Sequence, residues 1–248
     1  MKKHKAPMKA VKEFSRFASS YGHYSIIQRQ AAEYLISWID GKRLGSVLDL
    51  GCGDGEVLRQ IKKRGFDFDS FLGVDLAPSM LEIHPGGEKI RCLCGDFNDT
   101  DFLDTLAGYS PDTLLSSSAL QWSRDLDAML GILSQVGKRS YFSIFTNGTF
   151  STLHHLAGIA SPIRSFGETE RILGHHYHIG RMERVCYRLH FDSTREIFRY
   201  IKLSGVSGGE ARLSYRQIRR LMEEYPLDYL EFELLFASLT PKRSFSRS

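Results

Sequence analysis

Residues 47–55 read VLDLGCGDG, an apolar run that ends at an acidic residue and then alternates three glycines. Val47, Leu48 and Leu50 have the pattern of a buried parallel strand, and Gly51, Gly53 and Gly55 let the backbone turn tightly and approach a ligand where a Cβ would collide. Asp49 is then within reach of a cationic group. Two cofactor classes use such a loop. A dinucleotide fold rests a pyrophosphate on the N-terminus of the next helix, behind a G-x-G-x-x-G fingerprint. Here the sixth position is Glu56, which suits the helix dipole but repels a pyrophosphate. A sulfonium amino acid carries no phosphate and tolerates it, so D-x-G-x-G-x-G favours S-adenosylmethionine.

The next two strand-like segments extend the same crevice. FLGVDLAPSML (71–81) is apolar up to Asp75 and then turns into a proline-containing helix start, and IRCLCGDFND (90–99) puts another strand end at Asp96. Asp75 lies twenty residues beyond Gly55, about where a carboxylate at the end of the second strand meets a ribose hydroxyl pair. By the strand-end rule for open α/β sheets, Asp49, Asp75 and Asp96 line one crevice. Asp96 is then able to accept from an adenine amine, with Phe97 or Leu76 against the ring. The plainer alternative for each carboxylate is that of a helix cap.

Composition narrows the class. A chain of 248 residues accommodates one complete α/β domain with additions, and 42% hydrophobic with 25% charged residues is ordinary for a water-soluble globule. No apolar run approaches the roughly 18 to 20 residues of a membrane span, and no apolar segment follows the basic start MKKHKAPMKAVKEF, so neither a membrane partner nor a secretory signal is expected and the cytoplasm is the expected location. Cys52, Cys92, Cys94 and Cys186 have neither zinc-finger spacing nor disulfide density and read as reduced thiols, Cys52 packing inside the glycine loop. His175, His176 and His178 admit a metal reading, but GHHYH without fixed-spacing carboxylates or thiols reads as a solvated loop, and no metal is expected.

Net charge +4 gives a mildly basic surface. Lys2, Lys3, Lys5, Lys9 and Lys12, and again Arg181, Arg184 and Arg188, are either a solvated face or a rim for an acidic partner. No nucleic-acid module is visible, so no nucleic-acid partner is expected.

Along the chain, residues 1–12 read as a flexible basic tail and 13–242 as a single domain. Residues 13–40 form a helical lid with Ile27, Ala31, Tyr34, Leu35 and Trp38 at helix spacing. Strands are expected at 46–50, 71–75, 90–94, 112–117 and 140–146 with helices between them, the signature of a doubly wound α/β sheet. Residues 150–184 form an insertion over the substrate pocket, followed by strands at 185–191 and 229–239. Ser193 with Glu196 and Ser214 with Gln217 mark two helix starts by capping-box spacing, and Gly205 and Pro226 mark their ends. Residues 243–248 read as a frayed end.

With these motifs placed, the chain resembles class I S-adenosylmethionine-dependent methyltransferases, and among them the malonyl-acyl-carrier-protein O-methyltransferases of biotin synthesis. The resemblance runs almost end to end, through FSRFASSYGHYSIIQRQAA (14–32), VLDLGCGDG, GVDLAPSML, CGDF, SSSALQW (116–122), FSIFTNGTFSTLHHL and LHFDSTREIFRYIKLSGV (189–206). The glycine motif is common to the superfamily, while the N-terminal segment, ALQW and the late helix are more specific. QVGKRS replaces the family's usual Pro-Gly-Gly turn, far from the cofactor motifs. Similar sequences also include trans-aconitate methyltransferases and a respiratory-complex assembly hydroxylase.

The resemblance implies a Rossmann-like seven-stranded, mostly parallel sheet with the last strand antiparallel and an N-terminal helical cap. It places the cofactor over Gly51 and Gly53, the ribose at Asp75, the adenine amine at Asp96 and the methionine end at the backbone of Ser116 or Ser117, with Tyr21 and Gln28 closing the site. The substrate it implies is malonyl-acyl carrier protein or malonyl-coenzyme A, and a monomer is expected. A malonyl carboxylate is already ionised at neutral pH and needs no general base, but it needs orientation. Arg29 and Arg124 are the candidates for that, Gln121 borders the pocket, and Trp122 is either its apolar wall or core packing. Methylation of a small free acid such as trans-aconitate, or a non-catalytic assembly role, are the alternatives.

Overall fold

The computed structural model describes residues 25–203 and 215–242. Its strands are β1 (Ser46–Leu50), β2 (Ser70–Asp75), β3 (Ile90–Cys94), β4 (Thr113–Ser117), β5 (Arg139–Phe145), β6 (Tyr177–His190) and β7 (Tyr229–Pro241), joined in one seven-stranded sheet of order β3-β2-β1-β4-β5-β7-β6. Neighbours from β3 to β5 pair in parallel, and β7 runs antiparallel to both β5 and β6. This is the doubly wound sheet with an antiparallel last strand that the sequence implies. The helices are α1 (Ile26–Ile36), α2 (Glu56–Lys63), α3 (Pro78–Glu82), α4 (Thr100–Ala107), α5 (Leu126–Leu133), α6 (Ser151–Ala157), α7 (Phe166–His176), α8 (Thr194–Leu203) and α9 (Tyr215–Glu224), with a 3₁₀ turn at Leu120–Trp122.

Both sheet faces are covered because strand side chains alternate. Val47 and Leu115 join an apolar layer with Ile27, Leu35, Leu58, Ile197 and Leu221 from α1, α2, α8 and α9. Their neighbours Leu48 and Leu114 point the other way, into a layer with Leu103, Leu130, Leu133 and Leu173 from α4, α5 and α7. Parallel strands buried on both faces read as continuous apolar runs, which is why their boundaries are legible from sequence.

Three expectations are corrected. β6 begins at Tyr177, eight residues before the strand expected at 185–191, so the insertion between β5 and β6 ends at His176 and 177–184 belong to the sheet. The early half of β6 holds polar and charged residues and is recruited by register pairing with β7 from Tyr177↔Pro241 to His190↔Tyr229. GHHYH is accordingly a helix-to-strand junction rather than a loop: His176 Nε2 lies 2.8 Å from Asp127 Oδ1 and His175 Nδ1 lies 3.4 Å from the same oxygen. In the lid, the helix stops at Ile36, and Trp38 is buried in the turn beyond it.

Ser193 Oγ accepts the Glu196 amide at 3.3 Å and Glu196 Oε2 accepts the Asp192 amide at 3.2 Å, a capping box displaced by one residue. The tail, the lid before residue 25 with Tyr21, Gly205, Ser214 and residues 243–248 lie outside the described residues. Among the described residues no helix is long and apolar enough to cross a membrane, no group of three metal-ligating side chains occurs, and all four cysteines are free.

Candidate active site

The order β3-β2-β1-β4 brings four strand ends to one edge of the sheet. The loop after β1 is tied to the end of β2: the Gly51 and Cys52 amides donate to the Val74 carbonyl at 2.8 and 2.9 Å, and the Gly53 amide donates to Asp75 Oδ2 at 2.8 Å. Asp75 Oδ1 accepts the Ala77 amide at 2.8 Å, so one carboxylate fastens the glycine loop and shapes the start of α3. Gly51 has φ +76°, and a Cβ there would lie 2.2 Å from the Ala119 Cβ, so the expected collision is with the protein itself. Gly53 has φ +54° and faces open space, with nothing within 4 Å of a Cβ. Arg59 Nη1 lies 3.1 Å from both Asp54 Oδ2 and Glu56 Oε2, bracing the turn into α2.

Asp49 is fully buried and neither of its oxygens has a hydrogen-bond partner. Burial first, and the neighbouring Asp75 second, push its carboxyl up to about 8. Asp75 is also raised by burial, against backbone N–H bonds that favour its charge. Cys52 is buried beside these carboxylates with its thiol pushed up, so it packs and does not react, as its place in the loop suggests.

An orphaned carboxylate two residues before Gly51, beside a loop open at Gly53, fits a ligand that brings its own cation. The ammonium of the methionine half of S-adenosylmethionine is such a group. In the ligand-free protein the raised folded-state values mean that the native state holds protons which the unfolded chain releases near pH 4, so this contribution to stability is full below about pH 4 and is lost as pH rises toward about 8. Thermal denaturation without ligand is therefore expected to give a lower Tm at pH 8 than at pH 5.5, with a flatter profile for Asp49→Asn; an unchanged profile in that variant would show that Asp49 does not carry the effect.

At the β3 end, Asp96 Oδ1 accepts the Asn98 amide at 2.8 Å and Asn98 Nδ2 at 3.1 Å, while Arg124 Nη2 stands 3.9 Å from Asp96 Oδ2. The helix caps here are Asp99 for α4 and Asp125 for α5. The capping alternative thus survives for Asp75 and Asp96 only as local turns, and Asp49 makes no cap. Phe97 is half-buried, with its ring 4.0 Å from the Gly51 Cβ position, and Leu76 is half-buried at the end of β2.

At the β4 end, Ser116 is buried with Oγ donating to the Leu50 carbonyl at 2.6 Å, and Ser117 Oγ lies 2.9 Å from Ser143 Oγ. Both hydroxyls are therefore committed inside the sheet. Ser118 turns into the left-handed region at φ +60°, an uncommon place for serine, with its buried hydroxyl unpartnered. Gln121 is buried: Nε2 donates to the Ser118 carbonyl at 2.6 Å and Oε1 has no partner. Trp122 is half-buried.

Gln28, on the first turn of α1, also carries a buried, unpartnered Oε1, while Arg29 is exposed and makes no ion pair among the described residues. The structure therefore separates the two arginine candidates: Arg124 is drawn toward Asp96 and Arg29 stays uncommitted. Sequence reasoning missed Ser118, Asn98 and Arg164, whose parts are backbone conformation and contacts across long stretches of chain that no spacing reveals.

Residues 47–139, which carry the glycine loop and the three strand-end carboxylates, match the methyltransferase domain family model. Among curated proteins, the chain is similar to several named malonyl-[acyl-carrier protein] O-methyltransferase. It is 29% identical over 223 residues to that of Chlorobium phaeovibrioides, covering 86% of this chain and 85% of the relative, and 26% identical over 252 residues to that of Bacillus cereus, covering 92% of each. Among solved structures, a putative methyltransferase from Haloferax volcanii, held in complex with a methyltransferase activator, aligns with TM-score 0.60 at 16% identity over 92% of this chain and 97% of its own. An S-adenosylmethionine-dependent methyltransferase from Mesorhizobium loti aligns with TM-score 0.51 at 18% identity over 84% and 98%. These two likenesses are of fold.

Proposed function

We infer that the protein methylates the free carboxylate of a malonyl group carried as a thioester on acyl carrier protein, in the synthesis of biotin, and does so as a cytoplasmic monomer. The observation that carries this reading is the similarity to malonyl-[acyl-carrier protein] O-methyltransferases, which extends well past the matched domain to 86% of the chain.

S-adenosylmethionine, when bound, supplies an electrophilic methyl group on a sulfonium. Asp49 faces its ammonium, Gly53 leaves room for its main chain, and the Ser116–Ser117 backbone holds the methionine end. Asp75 takes the ribose hydroxyls with the lone pairs left after its two backbone bonds, Asp96 takes the adenine amine, and Phe97 and Leu76 flank the ring. The malonyl carboxylate reaches the site ionised, so the protein supplies alignment and exclusion of water rather than a base. Arg29 orients that carboxylate without a tight two-oxygen grip, which would quench the nucleophile. Gln28 helps close the site, and Gln121 and Trp122 border the acyl group.

The arginines of β6 do not form one basic patch. Arg181 stacks on Trp38 at 3.9 Å and pairs with Glu183 at 2.9 Å on the α1 face. Arg184 stacks on Phe166 at 4.2 Å, 3.7 Å from Glu233, and Arg188 lies over Tyr229 at 5.0 Å, both on the other face. Arg184 and Arg188 remain as a rim for an acidic carrier. Labelled-methyl transfer is expected to favour malonyl-acyl carrier protein over malonyl-coenzyme A, malonate and trans-aconitate, with the carrier's KM rising several-fold between about 0.05 and 0.3 M salt. Equal turnover of free acid and carrier, indifferent to salt, would move the reading to small-acid methylation.

A further inference from the structure

Arg164 lies between α6 and α7, with its side chain 22% exposed. Its guanidinium donates to two successive carbonyls after the 3₁₀ turn, Ser123 O at 2.9 Å and Arg124 O at 3.1 Å, while its Nε stands 3.8 Å from Glu168 Oε1 on α7. The Arg164 carbonyl in turn accepts the Asn147 amide at 2.9 Å, just beyond β5.

The same turn is gripped from the cofactor side. Asn98 Oδ1 accepts the Arg124 amide at 2.8 Å, and Asn98 Nδ2 reaches the Trp122 carbonyl at 3.5 Å. Residues 122–124 are therefore suspended between Asn98, which Asp96 orients, and Arg164, which belongs to the segment joining β5 to β6. A planar guanidinium spans two carbonyls at once, whereas a lysine ammonium serves them only as a point charge. Here the fork holds backbone and leaves the Trp122 side chain, half-buried, to face its surroundings.

We propose that Arg164 is a positioning residue for methyl transfer: it latches the α6–α7 segment to the Gln121–Arg124 turn and so fixes the wall against which the acyl acceptor is held. This rests on the reading of that turn as the acceptor side of the pocket. Loss of the latch acts on the acceptor more than on the cofactor, because the Asp75 and glycine-loop bonds involve none of these groups and the Asn98 bonds to Asp96 are left in place.

The test uses Arg164→Ala and Arg164→Lys in the full chain, with parallel variants in a Trp38→Phe background so that Trp122 is the sole emitter among the two tryptophans. Arg164→Ala is expected to raise the KM for malonyl-acyl carrier protein about tenfold with the S-adenosylmethionine Kd within about twofold, to shift Trp122 emission to the red, and to be partly rescued by lysine. Unchanged KM and emission would overturn the latch, and so would cofactor affinity and Tm falling in step with KM. If the parent enzyme does not methylate the carrier while Trp122 emission still responds to Arg164→Ala, the latch stands and the acceptor assignment is what fails.

Discussion

Asp75→Ala is expected to weaken S-adenosylmethionine binding by about 30- to 900-fold, the equivalent of about 2 to 4 kcal/mol for losing charge-assisted bonds to the ligand together with the anchor of its loop. The range follows from the double duty of this carboxylate. Oδ2 holds the Gly53 amide and Oδ1 the Ala77 amide, each at 2.8 Å, so the alanine variant loses the proposed ribose contact and also the restraint that keeps the glycine loop preformed. Folding is expected to suffer less than binding, because burial raises the Asp75 pKa and its removal relieves a desolvated charge. Calorimetric titration alongside thermal denaturation separates the two. Affinity within threefold of wild type would remove Asp75 from the cofactor site.

The second large effect is at Gly51, and it differs in kind from its neighbour two residues on. Gly51→Ala forces an L-residue to φ +76° and drives its Cβ to 2.2 Å from the Ala119 Cβ. The left-handed backbone costs about 1 to 2 kcal/mol and the overpacking about 1 to 3, so a fall in Tm of about 5 to 20 °C is expected for a domain of this size, with Gly51→Val worse. Gly53→Ala meets nothing within 4 Å and pays only for its φ of +54°. Its Cβ instead enters the space assigned to the cofactor, so Gly53→Ala is expected to lose affinity for S-adenosylmethionine with little loss of Tm. Equal Tm losses in the two alanine variants would contradict this division between a packing glycine and a ligand-facing one.

The contrast marks what a sequence discloses. The glycine pattern and the three strand-end carboxylates locate the crevice because strand periodicity and strand-end placement are local rules, and the first three strands fall within one residue of their expected bounds. Local rules do not say which partner a Cβ would strike, and Ala119 is far from Gly51 in sequence. They fail again at the start of β6, whose polar residues gain strand structure from pairing with β7. Arg164 and Asn98 were invisible for the same reason: an arginine bonded to carbonyls 40 and 41 residues away leaves no periodic trace. Arg124 was legible as a cation near the pocket, but its neighbour Asp96 became apparent only once the order β3-β2-β1-β4 brought the segments after β3 and β4 to one edge of the sheet.

The central claim is methyl transfer from S-adenosylmethionine to the malonyl carboxylate on acyl carrier protein. Its most direct test is the intact mass of malonyl-acyl carrier protein after incubation with the protein and S-adenosylmethionine, with Asp75→Ala as control. The account predicts a gain of one methyl group on the carrier, removed when the malonyl ester is hydrolysed and strongly reduced with the control variant. A carrier of unchanged mass, in the presence of protein that demonstrably binds S-adenosylmethionine, would contradict it.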